Sequence, residues 1–274
     1  MMPTPAPSRD QPRVAWRGGR AEPGMRALAE ETPVALTYDG ATHAVMMATP
    51  DDLEDFAIGF SLTEGLIASP ADVHEFDIAT TDQGIDIRLW LAPHVGAAIA
   101  TRRRRMLGAS GCGMCGLESL AEANRVVPAI RAEPLIDPAM IAEALALLPD
   151  AQRLNRSTHA VHAAGFYRPG VALLVREDVG RHNALDKLAG ALARAGIDAA
   201  DGLLLLSSRI SVEMVQKAAM MGVPVIVAVS APTAMAVRVA EVAWITLVGV
   251  ARADGFEVFT HPHRITMGHA AHVV

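Results

Sequence analysis

Four short apolar segments in the second half of the chain alternate with helical segments, and this alternation constrains the fold more than any other feature. Each apolar segment is continuous, which is typical of a strand whose two faces are both covered. Strands that alternate with helices predict a largely parallel sheet with helices on both faces. The apolar segments are residues 171–175, 203–206, 223–229 and 244–248, and the helical segments are residues 182–195, 212–221 and 233–242.

The first half of the chain predicts a smaller α+β lobe, residues 25–107. Two short strands flank a turn at Asp39-Gly40, and a helix is expected to begin with Thr49 as its N-cap and Pro50 at its first position. A hairpin follows around residues 82–84. The predicted strands of this lobe are residues 33–39, 43–48, 75–79 and 85–91.

The remaining segments divide the chain into five parts. Residues 1–24 are rich in Pro, Arg and Gly and carry no apolar region of a secretion signal, so we interpret them as a disordered tail. Residues 108–125 predict a mobile cysteine loop with a following helix. Residues 126–266 form a C-terminal α/β lobe, in which Asp137-Pro138 opens a helix over residues 139–148, and residues 267–274 form a second tail.

The composition excludes several classes of function. The formal net charge of −6 argues against a general nucleic-acid-binding protein, which would be broadly basic. No segment approaches the roughly 18 uninterrupted apolar residues of a membrane span. Two cysteines without a secretion signal favour reduced thiols, and the expected location is the cytoplasm.

Both cysteines of the chain, Cys112 and Cys115, lie two residues apart in a glycine-rich segment. Glycine neighbours let the backbone bend freely and present the sulfur atoms outward. Four arginines precede the segment at residues 102–105, and nearby positive charge favours the nucleophilic thiolate over the thiol. The pattern therefore predicts thiols used in chemistry rather than in packing.

Three strand-to-helix junctions are expected to meet at the carboxyl edge of the predicted sheet, where open α/β folds bind ligands. Each junction leads into a helix N-terminus, whose free N–H groups attract anions. Arg181 and Arg209 would add bidentate contacts to phosphate. The sequence thus predicts a phosphorylated ligand, although Ser211, Ser230 and Thr233 could instead serve only as helix caps. The junctions are residues 176–183, 207–211 and 230–233.

The chain resembles the FdhD family of sulfur carrier proteins required for formate dehydrogenase. The most distinctive motif is Glu177-Asp178-Val179-Gly180-Arg181-His182-Asn183-Ala184, followed by Asp186 and Lys187. Further matching segments, in the same order as in the family, are residues 47–54, 59–60, 64–65, 112–116, 159–164, 211–218 and 230–233. The resemblance covers roughly residues 30–266.

The resemblance implies a sulfurtransferase. Such a protein takes sulfur from a cysteine desulfurase as a protein-bound persulfide and passes it to the molybdenum bis(molybdopterin guanine dinucleotide) cofactor before its insertion into formate dehydrogenase. The cofactor is bound as a client, and guanine nucleotides are expected to mimic it. The resemblance also implies a C-terminal lobe of the cytidine deaminase type with three layers, and a homodimer. No resident metal is expected.

The resemblance assigns the persulfide to Cys112, which is also nearer the arginine block than Cys115. Cys115 would resolve the persulfide to a disulfide or only assist. His182 is expected either to contact the cofactor or to pack as a core histidine, and Asp178 and Asp186 are expected to orient the base. The expected cofactor-binding residues are Gly180, Arg181, His182, Asn183, Lys187, Ser208, Arg209, Ser230, Thr233, Val250, Ala251, Arg252, Ala253, Asp254 and Gly255.

Other functions agree less well with the residues. A structural zinc site needs four ligands, and His159 and His162 would have to complete the cysteine pair at a spacing unlike common zinc fingers. A zinc deaminase needs His-x-Glu before Pro-Cys-x-x-Cys, which this chain lacks. A thioredoxin-type dithiol would follow the first strand of its fold. The main alternative is a chaperone that binds the cofactor without carrying sulfur.

Overall fold

A computed structural model describes residues 2–97, 99 and 126–266 of the chain. The strands are β1 (Ser8–Arg17), β2 (Arg20–Ala29), β3 (Thr32–Tyr38), β4 (Ala41–Ala48), β5 (Val73–Thr80), β6 (Ile85–Leu91), β7 (His162–Tyr167), β8 (Leu174–Asp178), β9 (Leu203–Leu206), β10 (Val225–Ala228), β11 (Thr246–Arg252) and β12 (Gly255–Val258). The described α-helices include α1 (Leu53–Thr63), α2 (Pro138–Ala151), α3 (Arg153–Thr158), α4 (Arg181–Arg194), α5 (Val212–Met221) and α6 (Ala234–Ala243). Single 3-10 turns lie at Pro70–Asp72, Ala199–Asp201 and Pro262–Arg264.

A six-stranded sheet of order β12-β11-β10-β9-β7-β8 forms the centre of the second half. Strands β9, β10 and β11 are parallel, and β8 shares their direction because β7 is antiparallel to both β8 and β9. These four are the strands that the apolar segments predict. The sheet is nevertheless mixed rather than largely parallel, because β7 and β12 run the other way. The α/β class is confirmed, and the likeness to cytidine deaminases stays a prediction.

Helices cover both faces of this sheet. On one face, α4, α5 and α6 bury Leu188, Val215 and Ala240 against the strands. On the other face, α2 buries Ile141 and Ala144 against alternate residues of β9 and β10. Alternate residues of each central strand therefore belong to different apolar clusters, which explains why the strand sequences are continuously apolar.

A four-stranded sheet of order β4-β3-β6-β5 forms the first half, and α1 packs on one of its faces. The predicted turn and hairpin are confirmed, with Asp39 and Gly40 both at positive φ. The expected start of α1 is wrong. The helix begins at Leu53, and Thr49 is engaged elsewhere: its backbone N–H donates to the Oδ2 atom of Asp178 at 2.9 Å.

Two glycines bring the two halves into contact. Helices α1 and α4 cross so closely that a Cβ atom at Gly59 would lie 1.7 Å from the carbonyl oxygen of Asp186. A Cβ atom at Gly190 would lie 1.9 Å from the carbonyl oxygen of Asp55. Because such distances are far inside van der Waals contact, only glycine permits this crossing.

The interpretation of residues 1–24 as a disordered tail is wrong for the described part, residues 2–24. Strands β1 and β2 pair in an antiparallel hairpin from Ser8↔Ala29 to Arg17↔Arg20. Gly18 and Gly19 form the two-residue turn with φ values of 55° and 80°, which suits a tight hairpin. The hairpin is a separate two-stranded sheet.

The other segment boundaries stay predictions. The cysteine loop with its following helix (residues 108–125) and the C-terminal tail (residues 267–274) lie outside the described residues. Within the described chain, no helix is long and apolar enough to cross a membrane.

Candidate functional site

The three predicted junction loops meet at one edge of the six-stranded sheet. The backbone N–H of Thr233 donates to the carbonyl oxygen of Ile210 at 3.0 Å, which joins the loops after β9 and β10. The N–H of Val250 donates to the carbonyl oxygen of Ser230 at 3.3 Å, which adds β11 to the same edge. Because β8 shares the direction of these strands, β8 also ends at this edge, and the loop with Gly180 that follows β8 lies there too.

Strand β7 also contributes to this edge, although the sequence analysis did not predict it. Since β7 is antiparallel to β9, its first residue, His162, lies where β9 ends. Ser207 fixes this junction: its hydroxyl accepts the N–H of Ala163 at 2.8 Å, and its own N–H donates to the carbonyl oxygen of Ala163 at 3.0 Å. The only advance signal for His162 is its place in a segment that resembles the family.

Three arginines lie at this edge: Arg181 begins α4, Arg209 lies in the loop after β9, and Arg252 ends β11. Arg209 and Arg252 are exposed and Arg181 is half-buried. None of the three forms an ion pair with a carboxylate of the described chain, whereas Arg176 and Arg194 are both paired with Asp55. Arg252 and Arg181 differ in their hydrogen bonds. Arg252 donates through Nη1 to the carbonyl oxygens of Val229 and Ala251. The Nε atom of Arg181 is buried and has no hydrogen-bond partner in the described part of the chain.

The helix-cap alternative holds for only one of the three residues. Thr233 caps α6, because its Oγ1 atom accepts the N–H of Ala236 at 3.2 Å. Ser211 precedes α5 without a side-chain cap, and Ser230 lies in the turn before Thr233. Helix α4 follows Gly180, which has no side chain to cap it. The N-terminus of α4 therefore keeps N–H groups for an anionic ligand, whereas at the start of α5 the carboxylate of Glu213 accepts the backbone N–H of Glu213 itself.

His182 is the second residue of α4. It is not a fully packed core residue, since 32% of its side chain is exposed. Its Nε2 atom is buried, has no hydrogen-bond partner among the described residues, and lies 4.0 Å from the Oε2 atom of Glu213. Burial, together with the charges of Arg181 and Lys217, lowers the pKa of His182 to about 4. Burial and Arg181 also lower the pKa of His162. Both imidazoles are therefore neutral at pH 7.

Asn183 and Lys187 turn inward, away from a ligand at this edge. The Nζ atom of Lys187 lies 2.8 Å from Asp178 Oδ2 and also donates to the carbonyl oxygens of Thr49 and Glu177. Asn183 donates to Asp178 and to the carbonyl oxygen of Met47. Three acceptors engage the three N–H bonds of Lys187, so the expected contact of Lys187 with the cofactor does not fit this geometry.

Asp178 is the centre of this buried group. It also accepts the N–H groups of Thr49 and Gly180, at 2.9 and 2.8 Å. The motif residues Asp178, Asn183 and Lys187 thus tie the end of β4 to the start of α4. Their position supports the loop of Arg181 and His182 rather than the ligand itself.

Asp186 belongs to a second buried network between the halves. Both of its carboxylate oxygens accept hydrogen bonds from Lys217, at 2.9 and 3.1 Å, and Thr63 donates to Oδ1 at 2.6 Å. Lys217 also donates to Glu64 and lies over the ring of Phe60. The side chain of Asp186 is buried, and both of its carboxylate oxygens already accept hydrogen bonds. The expected role of Asp186 in orienting a base therefore does not fit this position.

Residues 249–255 form an irregular turn beside the loop of Ser230. The register of β11 and β12 shifts between Gly249 and Arg252, and Val250 has φ of 51°. Positive φ at a β-branched residue is strained. Of the expected contacts here, Val250, Arg252, Ala253, Asp254 and Gly255 are exposed, while the side chain of Ala251 is buried. Ser208 is buried, and its hydroxyl donates to the carbonyl oxygen of Arg209.

The expected catalytic residues Cys112 and Cys115 lie outside the described residues, as does the arginine block at residues 102–105. Among the residues that are described, no group of three or more His, Cys, Asp or Glu side chains could hold a metal ion. The described edge therefore offers guanidinium groups without a described carboxylate partner, the uncapped N-terminus of α4 and neutral imidazoles. Such a set can bind phosphate groups and polar heterocycles.

Comparisons with known proteins agree on one family. A sequence model of the FdhD/NarQ family matches residues 29–266, a span that includes both cysteines. The chain is 51% identical over 257 residues to the sulfur carrier protein FdhD of Agrobacterium fabrum, covering 93% of this chain and 95% of the relative. It is 49% identical over 251 residues to the protein of the same name from Cupriavidus necator, covering 91% and 87%. A crystal structure from Desulfotalea psychrophila, described as a formate dehydrogenase accessory protein, superposes with a TM-score of 0.73 at 26% identity, covering 94% of this chain and 99% of that one.

Proposed function

This chain belongs to the FdhD/NarQ family, and on that basis we propose that it is a sulfurtransferase that carries persulfide sulfur from a cysteine desulfurase to the molybdenum cofactor of formate dehydrogenase. The relatives' name, sulfur carrier protein, supports the sulfur part of the proposal. The accessory role given for the structural neighbour supports formate dehydrogenase as the recipient system.

The observation that carries the cofactor part of the proposal is the edge with three guanidinium groups unpaired by described carboxylates. Arg181, Arg209 and Arg252 would hold the phosphates of the bis(molybdopterin guanine dinucleotide) cofactor, which is the cargo of the reaction. The orphaned Nε atom of Arg181 and the orphaned Nε2 atom of His182 fit such a ligand, because buried polar groups ordinarily have partners. A guanine nucleotide should occupy the same place.

Cys112 would take up the sulfur. Its thiolate attacks the terminal sulfur of the desulfurase persulfide, the donor's S–S bond breaks, and the donor cysteine leaves as a thiolate. The product is the persulfide Cys112–S–SH, with no net oxidation or reduction. The arginines at residues 102–105, which precede Cys112 in the sequence, would favour the thiolate form that this attack requires.

Cys115 would resolve this persulfide. Attack of the Cys115 thiolate on the Cys112 sulfur forms a disulfide and releases hydrogen sulfide ion, so the two electrons that reduce the sulfur come from the thiol pair. A thiol reductant would then restore both cysteines. If Cys115 only assists, a thiol reductant attacks the Cys112 sulfur instead, forms a mixed disulfide with Cys112 and releases the outer sulfur as hydrosulfide, and a second thiol then restores Cys112.

The remaining parts of the proposal concern assembly and place. The protein would act in the cytoplasm as a homodimer and would meet the desulfurase and the apo-dehydrogenase in turn. Neither nucleic acid nor a membrane is part of the proposed function.

Formate dehydrogenase activity in cells tests the proposal against the chaperone alternative. Cells that lack the endogenous family member would receive the wild-type chain, Cys112→Ser or Cys115→Ser. We expect Cys112→Ser to give no active dehydrogenase, although the variant still binds a guanine nucleotide. Full dehydrogenase activity with Cys112→Ser would instead favour a chaperone that binds the cofactor without carrying sulfur.

A further inference from the structure

His182 and Glu213 bring the N-termini of α4 and α5 together. His182 is the second residue of α4, and Glu213 is the second residue of α5. Helix α5 begins at the proposed ligand-binding edge, because Ile210, two residues before it, forms a bridge to Pro232 in the loop after β10. The side chains of His182 and Glu213 are about one-third exposed, so a ligand at the edge can reach both.

The two side chains lie close together without bonding to each other. The Nε2 atom of His182 is 4.0 Å from the Oε2 atom of Glu213, which is too far for a direct hydrogen bond. Burial and the charge of Arg181 lower the pKa of His182 to about 4, so the imidazole is neutral at pH 7 and the two groups form no ion pair. The buried Nε2 atom has no other partner within the described part of the chain. Because buried polar atoms ordinarily have partners, this gap is suited to a ligand.

The carboxylate of Glu213 keeps acceptor capacity for such a ligand. Burial opposes its ionisation, but the neighbouring Ser211 hydroxyl and the backbone N–H of Glu213 outweigh burial and lower its pKa. The group is therefore charged at pH 7. A carboxylate has about four acceptor sites, so these two neighbours leave others unoccupied.

The two groups together are complementary to the Watson–Crick side of guanine. Guanine presents an acceptor at O6 next to donors at N1 and N2. A neutral His182 with its proton on Nε2 supplies one donor, and the carboxylate of Glu213 supplies two adjacent acceptors. Adenine has a donor at N6 and an acceptor at N1, so its N1 would meet the carboxylate with no proton to share. The pair therefore favours guanine over adenine.

The arginines of the edge lie where the phosphates of such a nucleotide would be. Arg209 lies in the loop that leads from β9 into α5, and Arg252 ends β11, two strands further along the sheet. A nucleotide whose base lies between α4 and α5 can therefore extend its phosphates along the edge toward both guanidinium groups.

From this geometry we infer that Glu213 and His182 select guanine as the base of the bound nucleotide. The Glu213 carboxylate accepts the N–H groups at N1 and N2 of guanine, and the Nε2 atom of His182 donates to O6. The inference rests on the proposed function, in which a guanine nucleotide occupies this edge. It adds the residues that recognise the base, as distinct from the arginines that hold the phosphates.

Calorimetry of the full chain with three nucleotides tests the inference. Inosine diphosphate lacks the N2 amino group of guanosine diphosphate, and xanthosine diphosphate carries an oxygen in its place. The wild type should bind guanosine diphosphate about tenfold or more tightly than inosine diphosphate, the effect of one hydrogen bond to a charged group. It should also disfavour xanthosine diphosphate, whose O2 atom would face the carboxylate.

Glu213→Gln should reverse the last preference. The amide oxygen of the new side chain still accepts the N–H at N1, while its NH2 group donates to O2 of xanthine. Xanthosine diphosphate should therefore bind this variant about tenfold more tightly than guanosine diphosphate. A purely structural role for Glu213 would not reverse the order of two ligands. A Glu213→Gln chain that keeps the wild-type preference would overturn the inference.

Glu241→Gln is the matched control. Glu241 belongs to a second His–Glu pair, in which the Nε2 atom of His261 lies 3.9 Å from Oε2 of Glu241. This pair lies near the end of α6 that is far from the edge, and its Nε2 atom already contacts the carbonyl oxygen of Glu241 at 3.0 Å. The control should keep the wild-type order of the three nucleotides.

Inorganic pyrophosphate, which has no base, separates this inference from the proposed function. It should bind Glu213→Gln no less tightly than the wild type. A wild-type chain that binds neither pyrophosphate nor guanosine diphosphate would reject the proposed cofactor edge, and the inference with it. Normal binding of guanosine diphosphate, together with a Glu213→Ala variant that still discriminates fully against inosine diphosphate, would reject base recognition by Glu213 alone and leave the proposed function intact.

Discussion

The Nζ atom of Lys187 lies 2.8 Å from the Oδ2 atom of Asp178, and both side chains are completely buried. The pair joins α4 to the segment that follows β4. Lys187 donates to the carbonyl oxygen of Thr49, and the backbone N–H of Thr49 donates to Asp178. Two residues of the most recognisable motif of the chain thus support the proposed ligand-binding edge without lying at its surface.

Lys187→Met is predicted to lower the free energy of unfolding by about 3–5 kcal/mol, since it leaves the Asp178 carboxylate buried without its partner. Urea unfolding measures this effect. The folded fraction should bind guanosine diphosphate nearly as well as the wild type. Unchanged stability with a large loss of nucleotide affinity would show instead that Lys187 contacts the ligand.

Gly59→Ala is predicted to destabilise the protein by about 3 kcal/mol, because the new methyl group would collide with the backbone of α4. Gly190→Ala should behave alike from the other helix. Gly24→Ala is the control, since its Cβ atom would meet only the Arg13 side chain at ordinary contact distance. Thermal unfolding that is equal for Gly59→Ala and Gly24→Ala would refute the close helix crossing.

Acid is predicted to destabilise the protein through His182. The pKa of His182 is about 4 in the folded chain and ordinarily 6.5. Between these pH values the imidazole is therefore protonated in the unfolded chain but stays neutral in the folded chain. Stability should therefore fall as the pH decreases from about 6.5 to about 4.

Unfolding free energies of wild type and His182→Gln, compared across this pH range, measure the contribution. The variant should lose less stability on acidification, while the exposed His74→Gln should follow the wild type. Parallel curves for wild type and His182→Gln would contradict the lowered pKa.

Arg209→Ala and Arg252→Ala are each predicted to weaken binding of guanosine diphosphate about tenfold, the loss expected for one hydrogen bond to a charged phosphate. Arg131→Ala is the matched control, because Arg131 lies away from the edge. The preceding residue, Ile130, donates its N–H to the carbonyl oxygen of Ala243, at the end of α6 that is far from the edge. Isothermal titration calorimetry gives the affinities. Equal affinities for all three variants would place the nucleotide elsewhere.

Periodicity predicted the core of the second half because buried strands and amphipathic helices have distinct patterns. Residues 203–206 and 212–221 coincide with β9 and α5, and the predicted helices 182–195 and 233–242 are each displaced by one residue. The helix predicted over residues 139–148 begins one residue earlier and ends three residues later, as α2. Strand β7 was missed because its segment, His162–Tyr167, has Ala and Gly where strands usually carry branched residues.

The hairpin was missed for a different reason. Prolines and arginines at the N-terminus suggested disorder, although Gly18-Gly19 between two runs of equal length is a hairpin signal. Its apolar residues face outward, so a single chain gives them no core to identify.

Long-range contacts limited the prediction of the site. The sequence suggested that Thr49 caps a helix, and the family resemblance suggested that Lys187 contacts the cofactor. Both residues are instead bound to Asp178, which is distant from Thr49 along the chain. By contrast, the meeting of the Arg181, Arg209 and Ser230 loops followed from strand direction alone, because successive strands of one direction end at one edge.

Mass spectrometry of the purified chain after incubation with a cysteine desulfurase and cysteine tests the sulfur-carrier claim most directly. The account predicts a gain of one sulfur atom, about 32 Da, that peptide mapping locates on Cys112 and that a thiol reductant removes. Cys112→Ser should show no gain. A wild-type chain that gains no sulfur, or a Cys112→Ser variant that gains as much as the wild type, would contradict it.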